Sequence, residues 1–132
     1  VLAMDKASLK KKINSIFPGG STNLWGGTEK GYEQVKTNYK QNYINRVLLL
    51  SDGLANAGLT DQKAIALKVQ QHKDKDGITL STFGIGLNYN ETLMTDMAET
   101  GAGNYYFIES PDKLAGIFSK ELNGLMLSLI HI

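Results

Sequence analysis

The stretch Val47-Leu48-Leu49-Leu50-Ser51-Asp52-Gly53 decides the fold class of this chain. Four large aliphatic residues in succession, bounded by turn-forming residues, are typical of a strand that is buried on both faces in a parallel sheet. The polar triplet then lies at the carboxyl end of the strand. Because ligands of open α/β sheets bind in the crevice outside the carboxyl ends of the strands, Asp52 is the first candidate for a functional residue.

Helical and strand patterns alternate over the rest of the chain. Apolar residues at helical spacing predict helices that begin near Asp5, Leu24, Asp61, Asn90 and Ser110. Runs of aliphatic, β-branched and aromatic residues predict strands over 44–50, 78–85 and 105–108, the last of them nearer a sheet edge. This order predicts an α/β fold, namely a doubly wound, Rossmann-like parallel sheet with helices on both faces.

Two of the predicted helices carry apolar stripes that we expect to face the core. The stripe of the first helix consists of Leu9, Ile13, Ile16 and Phe17. The stripe of the last helix consists of Leu114, Ile117, Phe118, Leu122 and Leu125. Both patterns predict helices that are polar on one side and buried on the other.

The composition is that of one ordinary globular domain. The chain has 132 residues, of which 42% are hydrophobic. With 14 basic and 13 acidic residues the net charge is +1, which gives no general electrostatic reason to expect nucleic acid or an anionic membrane as partner. No apolar run approaches the length of a membrane span. The absence of cysteine excludes disulfides, thiolate nucleophiles and cysteine-based metal sites.

Three segments together resemble the von Willebrand factor type A (VWA) domain family. They are residues 19–24 (GGSTNL), residues 45–53 (NRVLLLSDG) and residues 81–86 (STFGIG). Residues 101–106 (GAGNYY) suit the last strand of that family. The order and spacing of these segments carry the resemblance, which is closest in type to bacterial members and to inter-alpha-trypsin inhibitor heavy chains. It covers the chain from about Asp5 to Met126.

The resemblance implies a metal-ion-dependent adhesion site. Such a site is built from an Asp-x-Ser-x-Ser segment, a Thr from a second loop and an Asp from a third loop. By position, Thr22 is the second-loop ligand and Asp52 the third-loop carboxylate. The implied neighbours of the metal are Ser21, Asn23, Ser51 and Gly53.

The chemistry of the implied site agrees with the residue types. A hard divalent cation such as Mg²⁺ prefers oxygen ligands, and Thr22 and Asp52 supply a hydroxyl and a carboxylate. The resemblance therefore implies Mg²⁺ or Mn²⁺ as the cofactor. A cation that is held with little carboxylate charge can accept an Asp or Glu from a partner protein as a further ligand.

The Asp-x-Ser-x-Ser segment is not found in this chain. In the family it follows the first strand, so we expect residues 1–126 to be the carboxyl-terminal two thirds of a VWA domain. We then expect Mg²⁺ binding by this chain alone to be weak or absent. Residues 127–132 (LSLIHI) resemble the translation of a sequencing adapter, and we expect a non-native tail there. The alternative is a helix that continues into an apolar segment.

The candidate site residues could also have purely structural roles. Asp52 can form a side-chain turn after a strand, and Thr22 can cap a helix. Trp25, three residues past Thr22, can either line a ligand surface or pack beneath the loop. His72, on a predicted helix, is expected to be a surface or half-buried residue.

Enzyme motifs are incomplete in this sequence. Residues 84–86 (GIG) would need a third glycine where Tyr89 stands to form a dinucleotide fingerprint. Ser51 would need a glycine at the position of Leu49 to form a hydrolase elbow. A base for Ser51 is also hard to find, because His72 is the one histidine outside the tail.

We therefore predict a metal-dependent protein-binding, or adhesion, module that is not an enzyme. Its partner would be a protein ligand that presents Asp or Glu, with neither nucleic acid nor direct membrane insertion involved. The family resemblance implies the cell surface, the periplasm or secretion. One alternative is an α/β enzyme, nucleotide-binding or hydrolytic, whose catalytic motif lies upstream. The other is a VWA scaffold that has lost its metal.

Overall fold

The structure is a computed structural model that describes residues 6–16, 23–52, 54 and 58–130, the last four by their backbone alone. Helices and strands alternate through most of this part. In chain order they are α1 (Lys6–Asn14), α2 (Leu24–Thr37), β1 (Arg46–Ser51), α3 (Gln62–Gln71), β2 (Thr79–Ile85), α4 (Glu91–Thr100), β3 (Ala102–Ile108) and α5 (Leu114–Ile130). A π-helical turn, His72–Asp76, extends α3, and a 3-10 turn, Pro111–Lys113, precedes α5. The predicted helix residues Asp5 and Phe17 lie outside the described residues.

The three strands form one parallel sheet in the order β1-β2-β3. This confirms the predicted parallel α/β fold. The prediction that β1 is buried on both faces was wrong, because Leu50 is 40% exposed and only Val47 among its aliphatic residues is buried. In the described part of the sheet β1 is an edge strand. The central strand β2 has the two-sided burial instead, with every residue from Leu80 to Gly84 buried.

Helices cover both faces of the sheet, as predicted. On one face, α2, α3 and α4 enclose the main core with side chains from β1 and β2. That core consists of Leu24, Trp25, Tyr32, Val47, Ile65, Val69, Ile78, Leu80, Leu93 and Met97. On the other face, the Phe118 ring of α5 stacks on Phe83 of β2 with 5.4 Å between centroids, and Phe83 stacks on Tyr106 of β3 at 5.1 Å.

The apolar stripes of the two outer helices behave differently from the predictions. In α1 no residue is buried, Ile13 is 56% exposed and Ile16, two residues after α1, is 76% exposed, so the predicted core contact was wrong there. No element among the described residues covers them. In α5, Leu122 is 46% exposed although the stripe placed it inside. Glu121, beside it, is buried because Arg46 pairs with it across the sheet.

The predicted helix starts are correct where a side chain caps the first turn. The side-chain oxygens of Asn23, Asp61 and Asn90 accept hydrogen bonds from backbone N–H groups of α2, α3 and α4. The third strand begins at Ala102, earlier than predicted. The strand can extend this far because residue 103 is a glycine, which lies so close to the Leu80 carbonyl that a Cβ would overlap it. The register between β2 and β3 shifts at this point.

Candidate functional site at the carboxyl edge of the sheet

The three strands end at one edge, and the candidate site lies there. Ser51, the last residue of β1, pairs in register with Gly84, and Ile85 of β2 pairs with Ile108 of β3. Asp52 follows directly in a bend, and its side chain is exposed. Ser51 is buried, at 8% exposure. The strand therefore presents a carboxylate to solvent at the position where ligands of α/β sheets bind.

The beginning of α2 contacts the loop that follows β1. The Asn23 side chain accepts a hydrogen bond from the Gly26 N–H at 2.8 Å, which caps α2. Gly58, in the loop after β1, packs against the same Asn23 side chain so closely that a Cβ would overlap the amide. Gly58 has a φ of +66°, which also favours glycine. The residue that follows Thr22 and the loop that begins at Asp52 are therefore neighbours.

Several predicted site residues fall outside the described residues. Thr22, Ser21 and Gly53 are among these, so their positions at the site stay predictions. Asp52, Ser51 and Asn23 are described, and they lie at this edge of the sheet or against its loop. The described part of the chain contains no group of three or more His, Cys, Asp or Glu side chains that could hold a metal ion. Asp52 contributes one carboxylate of the kind that a hard cation binds, and further oxygen ligands would have to come from other residues.

A second feature of this edge is a groove at the ends of β2 and β3, which was not predicted from the sequence. It has a volume of about 210 Å³ and is lined by Gly86, Leu87, Tyr89, Glu91 and Phe107. We call it the Tyr89 groove. The one hint in the sequence is Leu87, a large aliphatic residue within a polar turn. The closeness of Tyr89 to β3 depends on tertiary structure.

Exposed apolar side chains surround the carboxyl edge. Leu54 is 58% exposed in the loop after β1, Leu87 is 88% exposed after β2, and Phe107 is 47% exposed near the end of β3. Leu87 and Phe107 both line the Tyr89 groove. Exposed apolar side chains that lie together are a mark of protein-interaction sites.

Trp25 and His72 have structural roles in the packing of α2 and α3. Trp25 is 4% exposed and packs near Tyr32, with 6.1 Å between ring centroids. Of its two predicted roles, packing is therefore correct and lining a ligand surface is not. His72 stacks on Tyr32 at 3.9 Å, and its Nδ1 lies 3.0 Å from the Asp76 carboxylate. His72 follows α3 near the amino end of β2, whereas Ser51 ends β1, so the fold does not bring this histidine to Ser51.

Fold and edge geometry define an α/β domain with a candidate binding surface at the carboxyl ends of its parallel strands. The sequence model of the von Willebrand factor type A domain matches residues 2–120, and the chain belongs to this family. VWA domains generally mediate protein interactions, and they often bind a divalent metal.

Similar proteins agree with this assignment. The uncharacterized protein YfbK of Escherichia coli K12 is 36% identical over 125 residues, which cover 94% of this chain and 22% of YfbK. The ArnB paralog VWA2 from Sulfolobus acidocaldarius superimposes with a TM-score of 0.55 and 28% identity, over 76% of this chain and 25% of that chain. This chain thus spans about a quarter or less of the length of these relatives.

A third similar protein is proximal thread matrix protein 1 from the mussel byssus, whose structure has a zinc-occupied MIDAS (metal-ion-dependent adhesion site) motif. It has a TM-score of 0.62 and 21% identity over 95% of this chain and 29% of that protein. At this identity the likeness shows the fold alone. Within the described residues of our chain, no helix is both long and apolar enough to cross a membrane.

Proposed function

We propose that this chain is part of a metal-dependent protein-binding module that acts without chemical turnover. The exposed Asp52 carboxylate at the carboxyl end of β1 is the single observation that carries the proposal. Asp52 and Thr22 would hold a divalent cation, Mg²⁺ or Mn²⁺, with further oxygen ligands. When bound, the cation would supply a positive centre that an Asp or Glu of a partner protein can ligate.

The surroundings of Asp52 support a protein partner. Leu54 and Leu87 are exposed in the segments that follow β1 and β2, at the edge where the Asp52 carboxylate would bind a cation. A partner that covers these side chains would remove apolar surface from water while its acidic residue reaches the metal. The contact between Asn23 and Gly58 supports the same site, because it holds the start of α2 against the loop after β1.

Paramagnetic broadening by Mn²⁺ tests the metal site even when occupancy is low. We expect the amide signals of Asp52 and Asn23 in the 132-residue chain to lose intensity at the lowest Mn²⁺ concentrations. The variant Asp52→Asn should remove this effect, because an amide is a much weaker ligand for a hard cation. Asp74→Asn is the matched control, since Asp74 is an exposed carboxylate in the π-helical turn.

Two outcomes would contradict the proposal. One is broadening that is centred on other carboxylates, and the other is broadening near Asp52 that survives Asp52→Asn. Because this chain lacks the Asp-x-Ser-x-Ser segment, we expect Mg²⁺ affinity weaker than micromolar. Micromolar affinity that Asp52→Ala abolishes would show that other residues replace that segment.

A further inference from the structure

We propose that the Tyr89 groove binds a lysine or arginine side chain of the protein partner. The inference rests on the proposed function in one respect only, that the partner is a protein. The groove lies at the ends of β2 and β3, on the same edge as Asp52. Because adjacent strands are about 4.8 Å apart, the ends of β1 and β3 are about 10 Å apart, and one partner segment can reach both.

The aromatic wall of the groove is built into the sheet. The Tyr89 ring lies over Gly84 so closely that a Cβ at Gly84 would overlap it. The Tyr89 hydroxyl and the Tyr105 hydroxyl share a hydrogen bond of 2.6 Å. The Tyr89 ring also lies 6.4 Å from the Phe107 ring, at an interplanar angle of 35°. A wall held on three sides needs little ordering when a ligand arrives, which favours binding.

The shape and the walls suit a long side chain with an apolar stem. Leu87 and Phe107 are 88% and 47% exposed and provide apolar contact surface. Gly86 has a φ of +78°, and no atom lies within 4 Å of the position that a Cβ would take, so the groove is open there. Lysine and arginine place their methylene stems along such surfaces while the charged end stays near polar groups.

The charge of the groove favours a cation. Glu91 is the charged residue of the lining, and it lies in the first turn of α4. The Glu91 charge also acts on the pair of tyrosines, Tyr89 and Tyr105. The pKa of Tyr105 is raised mainly by burial, then by the hydrogen bond to Tyr89 and by the charges of Tyr89 and Glu91. A cation beside Glu91 would also face the aromatic rings.

Other side chains fit this groove less well. An acidic side chain would be repelled by the Glu91 carboxylate. A purely apolar side chain would cover Leu87 and Phe107, but it would also desolvate Glu91 without giving it a partner. An arginine or lysine satisfies both the apolar walls and the carboxylate.

The experiment is an NMR titration of the 132-residue chain without divalent metal. The probe is Nα-acetyl-arginine methylamide, and the matched compounds carry leucine or glutamate in place of arginine. We expect the arginine compound to shift the amide signals of Gly86, Leu87 and Phe107, and the glutamate compound to leave them unchanged. Glu91→Gln should weaken binding by about threefold or more. Glu33→Gln, an exposed carboxylate on α2, should have no effect.

A second variant separates the apolar walls from the charge. Leu87→Ser changes a side chain that is 88% exposed, so the fold should persist while affinity falls. Equal shifts with the leucine compound, or binding that Glu91→Gln leaves intact, would overturn the proposal. Because this titration contains no metal, its failure would not bear on the Asp52 metal site, which the Mn²⁺ experiment tests separately. If the arginine compound bound but Mn²⁺ caused no broadening at Asp52, only the metal-dependent mechanism would be rejected.

Discussion

Arg46 at the start of β1 and Glu121 in α5 form an ion pair across the sheet, with 2.9 Å between Arg46 Nη1 and Glu121 Oε1. The Glu121 side chain is 1% exposed, and Oε1 also accepts a hydrogen bond from Asn104 at 3.1 Å. Arg46 donates further to the hydroxyls of Thr79 and Ser81. This polar network joins α5 to all three strands. It explains why the helix turns a glutamate inward next to an apolar stripe.

Removing one partner of this pair should destabilise the domain strongly. Glu121→Leu leaves the Arg46 guanidinium, 14% exposed, without its carboxylate, and we expect the free energy of unfolding to fall by about 3–5 kcal/mol. The double variant Arg46→Met with Glu121→Leu should recover most of this loss, because both buried charges are then gone. Urea unfolding measures both values.

The exposed pair Glu109–Lys113 provides the control for that experiment. Glu109→Gln should change the free energy of unfolding by about 0.5 kcal/mol or less, since its side chain is 73% exposed. The single variant Arg46→Met completes the comparison. If the double variant lost as much stability as Arg46→Met and Glu121→Leu lose in sum, Arg46 and Glu121 would not act as a pair.

Tyr32→Phe should leave stability unchanged or raise it by about 1 kcal/mol. Tyr32 is 1% exposed, and its hydroxyl finds no hydrogen-bond partner in the part of the chain that the structure describes. Removing a buried, unpartnered hydroxyl removes a desolvation cost. Tyr43→Phe is the control, since Tyr43 is 68% exposed. A clear loss of stability in Tyr32→Phe alone would show that the hydroxyl has a partner after all.

Stability should also fall at alkaline pH, in part through Tyr32. Burial raises the pKa of the Tyr32 hydroxyl above its ordinary value of about 10. The folded state therefore holds this proton more tightly than the unfolded state. The stabilisation is complete below about pH 10 and is lost as the pH rises further. In Tyr32→Phe the fall should be shallower but still present, because burial also raises the pKa of Tyr105 and Tyr106. Unfolding measured at several pH values checks the slope.

Gly84→Ala should displace the Tyr89 ring. The new Cβ would overlap that ring, and we expect a loss of about 1–3 kcal/mol of unfolding free energy. The matched control is Gly116→Ala in α5, where a Cβ meets nothing within 4 Å and helix propensity should add about 0.5–1 kcal/mol. A stable Gly84→Ala variant with unchanged Tyr89 ring signals would contradict the close packing of Tyr89 on Gly84.

The exposed edge of β1 should make the 132-residue chain associate. In the described sheet, β1 pairs with β2 alone, and Leu50 is 40% exposed. An aliphatic edge strand of this kind is a template for pairing with another chain. Leu50→Lys should shift sedimentation-velocity profiles toward monomer. Leu67→Lys, on the surface of α3 at 57% exposure, should leave association unchanged. A wild-type chain that is monomeric and unfolds cooperatively would refute this prediction.

Much of the fold could be predicted because the signals are local. The capping residues Asn23, Asp61 and Asn90 mark helix starts, and each does so with its own side chain. The three aliphatic and aromatic runs correspond to the three described strands. The position of Asp52 at the end of a strand also follows from the order of residues along the chain. Such features depend on backbone preferences within a few residues.

The sequence by itself therefore determined the alternation of helices and strands, the α/β class and the placement of Asp52 at the carboxyl edge. Only the tertiary structure decided which strand is buried on both faces, why Glu121 points inward and how Tyr89 forms a groove with Phe107. Arg46 and Glu121 are 75 residues apart in the chain. Burial and ion pairing depend on which distant side chains the fold brings together, and the local periodicity of the sequence does not identify those partners.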